Sequence, residues 1–149
     1  MAVDATTDTF AAAWEDFSRA VRRAKGRAAA RPPADGLSPA QFYLLAPLVD
    51  EPSQTIRSLA EAAFVAAPTA TRMLDGLERD GHVTRSPAAH DRRCVAVELT
   101  PAGRRALEIT AAELEDARRR ISESLDPADR AAAATLLRRL AVIVEEQLQ

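Results

Sequence analysis

Apolar residues recur at helical spacing over most of this chain and alternate over one short stretch only. Phe10, Trp14, Phe17, Val21 and Ala24 form one stripe, so a first helix is expected to end near Ala30, before the breaker Arg31-Pro32-Pro33. Ser38-Pro39-Ala40-Gln41 combines an N-cap serine, a proline in the first turn and a glutamine in capping-box position. It predicts a second helix with Phe42, Leu45 and Val49 inward. Pro47 falls inside that helix, removes one backbone hydrogen bond and should bend or shorten it. Thr55 is expected to cap a short third helix carrying Ile56, Leu59 and Ala60. A fourth starts near Pro68, turns Ala70, Met73, Leu74 and Leu77 inward, and ends at Gly81.

The period then changes. His82 to Arg85 and Cys94 to Leu99 predict two strands around a polar tip, Ala88 to Arg93, with Val95, Val97 and Leu99 alternating. Thr100-Pro101 opens a long fifth helix, with Leu107, Leu114 and Ile121 seven apart and Ala111 and Ala117 between them. Asp126-Pro127-Ala128-Asp129 opens a sixth, carrying Leu136, Leu137, Leu140, Ile143 and Val144. The expected fold is mainly α: a winged helix-turn-helix over residues 37–100, with a small β-hairpin as wing. The two long helices after residue 100 leave apolar surface that a second copy would cover, and the whole of 1–149 is expected to form a single domain.

Composition narrows the function. The chain has 149 residues, 47% hydrophobic and 28% charged, in the range of a folded soluble protein. No apolar run approaches the roughly 20 residues of a membrane span, and Met1 to Phe10 lacks the pattern of a signal peptide. With one cysteine, Cys94, no internal disulfide forms; a reducing cytoplasm is the expected location. The net charge of −2 argues against nucleic acid, but its distribution argues for it. From Thr55 to Arg105 there are eight arginines against six acidic residues.

In a winged helix-turn-helix the second helix of the motif enters the DNA major groove. With Ala70, Met73, Leu74 and Leu77 buried, helical spacing points Pro68, Arg72, Asp75 and Arg79 outward, flanked by Thr69 and Thr71. Arg72 is the principal base-reading candidate, because its planar fork matches two acceptors on guanine. Thr69 and Thr71 suit phosphate oxygens or a thymine methyl. Thr55 and Arg57, at the start of the preceding helix, complete the expected contacts on that side. At the wing tip, Arg92 and Arg93 suit a narrow, negative minor groove, unless Asp91 holds one of them in an ion pair. On an isolated helix, Arg72 and Arg79 would simply be solvated; the strand, basic tip and strand that follow favour DNA.

These residues carry a resemblance. Leu59-Ala60, the run Pro68-Thr69-Ala70-Thr71-Arg72-Met73-Leu74-Asp75, and Leu77 to Arg85 resemble the helix-turn-helix of the MarR (multiple antibiotic resistance regulator) family. His90-Asp91-Arg92-Arg93, then Val97-Glu98-Leu99-Thr100 and Gly103, is similar to that family's wing signature. The resemblance implies a homodimer whose first, fifth and sixth helices interlock, so that helices from both chain termini, 6–30 and 101–148, make the dimerisation region. It also implies a repressor that binds a near-palindromic operator and is released by a small aromatic or phenolic effector. Four positions depart from the family pattern. Phe64 and Ala66 stand where Gly and Ser are usual, Ala63 replaces a Leu, and Pro47 interrupts the second helix.

The family's effector pocket lies between the first, second and fifth helices, which makes Trp14, Phe17, Phe42, Tyr43 and Pro47 the candidate ligand residues. Ordinary core packing explains their spacing equally well. Cys94 lies beside Arg93, a setting that favours a reactive thiol, so a redox role is a further candidate. No enzyme is expected. The two histidines, His82 and His90, have no Ser–His or paired-carboxylate setting, the glycines are isolated, and His90, Asp91 and Cys94 do not converge on a metal. No cofactor is expected either. The competing reading is a winged-helix module that binds protein and has lost DNA, which the acidic balance and the uncapped fourth helix favour.

Overall fold

A computed structural model describes residues 5–30, 34–88 and 94–147, the side chains of 5–8 excepted. The elements are α1 (Ala5–Ala30), α2 (Pro39–Leu45), a 3-10 turn (Ala46–Val49), β1 (Ser53–Thr55), α3 (Ile56–Ala62), α4 (Ala67–Arg79), β2 (Val83–Pro87), β3 (Val95–Leu99), α5 (Pro101–Glu123) and α6 (Pro127–Gln147). The contacts group the chain into two compact units, 1–111 and 112–149. No helix among the described residues is long and apolar enough to cross a membrane.

Capping residues set the boundaries much as the sequence predicts. The Gln41 N–H donates to Ser38 Oγ at 3.3 Å while the Ser38 N–H donates to Gln41 Oε1 at 2.9 Å, a complete capping box. Pro47 shortens the helix as expected: α2 stops at Leu45 and the chain continues as a 3-10 turn. That tightening corrects one expectation. With three residues per turn, side chains three apart share a face. Leu48 therefore follows Leu45 into the core beside Leu44, and Val49 turns out, 54% exposed.

The wing is larger than a hairpin. β1 joins it to make a three-stranded antiparallel sheet of order β1-β3-β2, pairing Ser53 with Glu98 and Thr55 with Ala96. Ser53-Gln54-Thr55 has no apolar alternation to announce a strand, which is why the sequence pattern misses it. On β3, Ala96 and Val97 are buried and Val95 is exposed. The expected Val95–Val97–Leu99 face thus holds only from Val97 onward.

The core of the first unit gathers Leu37, Leu44, Leu48, Leu59, Leu74, Leu77, Val83, Val97 and Leu107. α4 ends as expected: the His82 N–H reaches Leu77 O at 2.8 Å, the Gly81 N–H reaches Glu78 O, and Gly81 takes φ +79°. This Schellman motif uses a conformation that disfavours any residue with a Cβ. Thr110 of α5 anchors the segment before α2. Its buried Oγ1 accepts the Leu37 N–H at 2.8 Å and donates to Ala106 O at 2.9 Å. Thr110→Val keeps the volume and orphans the Leu37 N–H. We expect it to lower the unfolding free energy by about 2 kcal/mol, read as a lower urea midpoint with an unchanged slope.

α1 departs from its predicted stripe. Ser18, Val21 and Ala28 are half-buried, whereas Phe10, Trp14 and Phe17 are exposed. The second unit is the end of α5, a turn and α6. Asp126 Oδ1 accepts the Asp129 N–H at 2.9 Å, the predicted cap, and Arg130 clamps the turn by donating to Ser122 O and Leu125 O. No residue of α6 is buried, although Leu136, Leu137, Val142, Ile143 and Val144 lie on it.

Candidate nucleic-acid interface

α3 and α4 form the two helices of the predicted motif. Thr55 takes an extended conformation, and its Oγ1 accepts the Ser58 N–H at 3.1 Å, capping α3. Leu59 and Ala60 of α3 and Ala70, Leu74 and Leu77 of α4 are buried in one core, which fixes the rotation of α4 about its axis. Pro68, Thr69, Arg72, Asp75 and Arg79 are therefore exposed, as helical spacing requires. Thr71 is half-buried, and its hydroxyl donates to Ala67 O at 2.9 Å within its own helix. Ala66, at the N-cap of α4, supplies no side-chain cap. In that first turn Pro68 has no N–H and the Thr69 N–H reaches Ala66 O at 2.9 Å, so at most the Ala67 N–H is left for a partner outside the chain, fewer donors than an anion site at a helix start needs.

Two arginines on this side are already engaged. Arg57 is exposed and donates through Nε to Glu61 Oε1 at 2.8 Å; that hydrogen bond, and then the carboxylate charge, raise its pKa further above the ordinary arginine value. Arg85 on β2 is more firmly held, with a side chain only 19% exposed. It donates to Asp75 Oδ1 at 2.8 Å and to Thr71 O at 3.3 Å, while its Nε lies 3.7 Å from Glu78. Arg85 thus braces α4 against the sheet, and Asp75, which the sequence places only as outward-facing, is its anchor. Arg72 and Arg79 remain the exposed arginines of α4. Residues 89–93, with Arg92 and Arg93, lie outside the described residues, so the expected minor-groove contact has no geometry here. Cys94, just before β3, is exposed.

A separate cleft of about 240 Å³ opens between α2, the 3-10 turn and α5. Phe42, Ala46, Val49, Leu107 and Ala111 give it apolar walls, and Arg104 and Glu108 also line it. Of the five ligand candidates, Phe42 lines this cleft; Trp14, Phe17, Tyr43 and Pro47 are not among its lining residues. Tyr43 packs edge-on against Phe42, with ring centroids 5.4 Å apart, and is half exposed. Arg104 and Glu108 escaped the sequence reading, although their spacing of four places them on one face of α5 beside Leu107 and Ala111.

Known proteins bear on this geometry. Residues 37–95, which span α2 to the start of β3, match the model of the MarR family. That segment, less than half of the chain, is similar to the MarR family. The chain is 39% identical over 75 residues to the HTH-type transcriptional repressor YetL of Bacillus subtilis (strain 168). That match takes in 49% of the chain and 45% of YetL, so it spans less than half of the repressor's length. The fold is similar to that of BpsR from Bordetella bronchiseptica, whose DNA binding is regulated by 6-hydroxynicotinic acid. The TM-score is 0.68 at 28% identity, covering 85% of this chain and 91% of BpsR. It also resembles the PcaV transcriptional regulator of Streptomyces coelicolor, with a TM-score of 0.75 at 20% identity over 89% and 97% of the two chains. The winged-helix architecture expected of the MarR resemblance is the architecture found.

Proposed function

We propose that this chain is a sequence-specific DNA-binding transcriptional regulator, acting as a repressor on a near-palindromic operator. The exposed face of α4 carries the reading: core packing of Ala70, Leu74 and Leu77 sets Thr69, Arg72 and Arg79 outward on a helix braced to the wing through Arg85. Arg72 reads a base edge; Pro68, Thr69 and Thr71 lie at the groove entrance. Arg79, Thr55 and Arg57 meet phosphates, and Arg92 and Arg93 extend the contact from the wing. Residues 37–100 are the DNA-binding lobe. The helices over 6–30 and 101–148 hold two copies together, which sets two recognition helices roughly 34–36 Å apart. A small aromatic effector fits the apolar cleft beside Phe42, with Arg104 available to a carboxylate; 6-hydroxynicotinic acid, the effector of BpsR, has this chemistry. The reading assigns the chain no catalytic step.

Selection from a random-sequence duplex library, with an Arg72→Ala variant in parallel, tests this. The expected result is an inverted repeat with half-sites about one helical turn apart, enriched by the native chain and weakened in the variant at one base of each half-site. Enrichment of no sequence would refute the assignment.

A further inference from the structure

The turn between α3 and α4 is built on a residue that the fold does not need. α3 ends in a second Schellman motif, in which the Val65 N–H reaches Ala60 O at 3.0 Å and the Phe64 N–H reaches Glu61 O at 3.2 Å. Val65 is the hydrophobic partner of the motif and packs on the core. Phe64 occupies the left-handed position, with φ +54°. The corresponding position at the end of α4 is filled by Gly81, the residue such a conformation favours. At Phe64 a Cβ is forced into that conformation, and the phenyl group is 96% exposed, left uncovered by the described residues. Glycine would serve both the backbone and the solubility of this turn better. The phenyl group, open to solvent at this turn, is available for contact with another molecule.

The surroundings indicate which molecule. Phe64 stands two residues before the N-cap of α4 and continues into Ala66, Ala67 and Pro68, all exposed and none bearing a charge or a side-chain hydrogen-bonding group. This apolar edge adjoins the polar face of Thr69, Arg72 and Arg79 on the same helix. It cannot read donors or acceptors and cannot hold a phosphate through its side chains. The apolar group that a base pair presents in the major groove is the C5-methyl of thymine.

We infer that Phe64 is a specificity residue that packs on the C5-methyl of one thymine in each half-site, at the edge of the sequence read by Arg72. The inference rests on the DNA-binding reading above. Its test takes the duplex enriched by the native chain and replaces each thymine in turn with deoxyuridine, symmetrically in both half-sites. Affinities are then measured for the native chain and for Phe64→Gly. One thymine position is expected at which uracil weakens native binding by about fourfold per half-site, the effect of losing one methyl-sized contact. Phe64→Gly should be insensitive at that position, unchanged in its response at the others, and no less resistant to heat than the native chain. Identical uracil profiles for the two proteins would overturn the inference and leave the DNA-binding reading intact. A uniform loss in Phe64→Gly at every duplex would also overturn it, since the ring would then meet the sugar-phosphate backbone or another protein copy. If the native chain enriches no duplex, the DNA-binding reading itself has failed, and this inference with it.

Discussion

Gly103→Ala is expected to lower the melting temperature by about 10 °C, corresponding to about 3 kcal/mol of overpacking. The first turn of α5 lies directly against the chain that leaves α4. Thr100 Oγ1 accepts the Gly103 N–H at 3.0 Å and donates to Gly81 O at 2.6 Å, and the Thr100 N–H donates to His82 O at 3.0 Å. A Cβ on Gly103 would overlap the His82 carbonyl oxygen and crowd its carbonyl carbon, both backbone atoms that cannot rotate away. The approach of the wing to α5, and the hydrogen bonds that hold it, would have to give. The Leu-Thr-x-x-Gly pattern read from the sequence thus has a physical basis here: Thr100 caps the helix and ties down the turn, and Gly103 makes room for it. Gly76, inside α4 with open space around it, provides the control. Gly76→Ala should stabilise the chain by about 0.5–1 kcal/mol through helix propensity. Equal melting of Gly103→Ala and the native chain would show that α5 does not clamp the wing as described.

The second large effect concerns assembly. α6 buries none of its residues within the chain, and Leu136 and Ile143, one heptad apart on it, are 54% and 48% exposed. Phe10, Trp14 and Phe17 of α1 are similarly uncovered. A 21-residue helix draws most of its stability in water from packing an apolar face, so a second copy is the expected cover. Carboxylates at Leu136 and Ile143 would be nearly neutral on a free surface and prohibitive inside an interface. The native chain is expected to sediment as a dimer at micromolar concentration, and the double variant Leu136→Glu, Ile143→Glu as a monomer. Its affinity for a duplex carrying both half-sites should fall by about 100-fold or more, because the second lobe loses its tethered advantage. A double variant that remains dimeric and binds DNA normally would place the interface elsewhere.

Much of this architecture is legible in local chemistry. Ser38, Thr55, Gly81, Thr100 and Asp126 mark element boundaries because a cap depends on a residue and its neighbours three positions away. The exposed face of α4 follows from the burial of Ala70, Leu74 and Leu77, itself readable from spacing. What escaped depends on distant partners. β1 is recognisable as a strand only through its pairing with β3. Val49 turns outward because Pro47 changes the helical period. The exposure of Phe10, Trp14 and Phe17 cannot be read from their spacing, since a core stripe and an intermolecular stripe have the same periodicity. Asp75 acquires its role only when Arg85 arrives from β2, ten residues along the chain. Phe64 was visible as a departure from the family's glycine, yet its φ and exposure were needed to make it a candidate contact.

The most direct measurement of the central claim compares the affinity of the purified native chain for its selected duplex and for a scrambled duplex of equal length and composition, at physiological salt. The account predicts a preference of about 1,000-fold or more. Arg72→Ala should reduce that preference by about 10- to 100-fold while leaving the scrambled duplex bound almost as before, because base readout is lost and phosphate contacts are kept. Equal affinity of the native chain for the two duplexes would contradict the account.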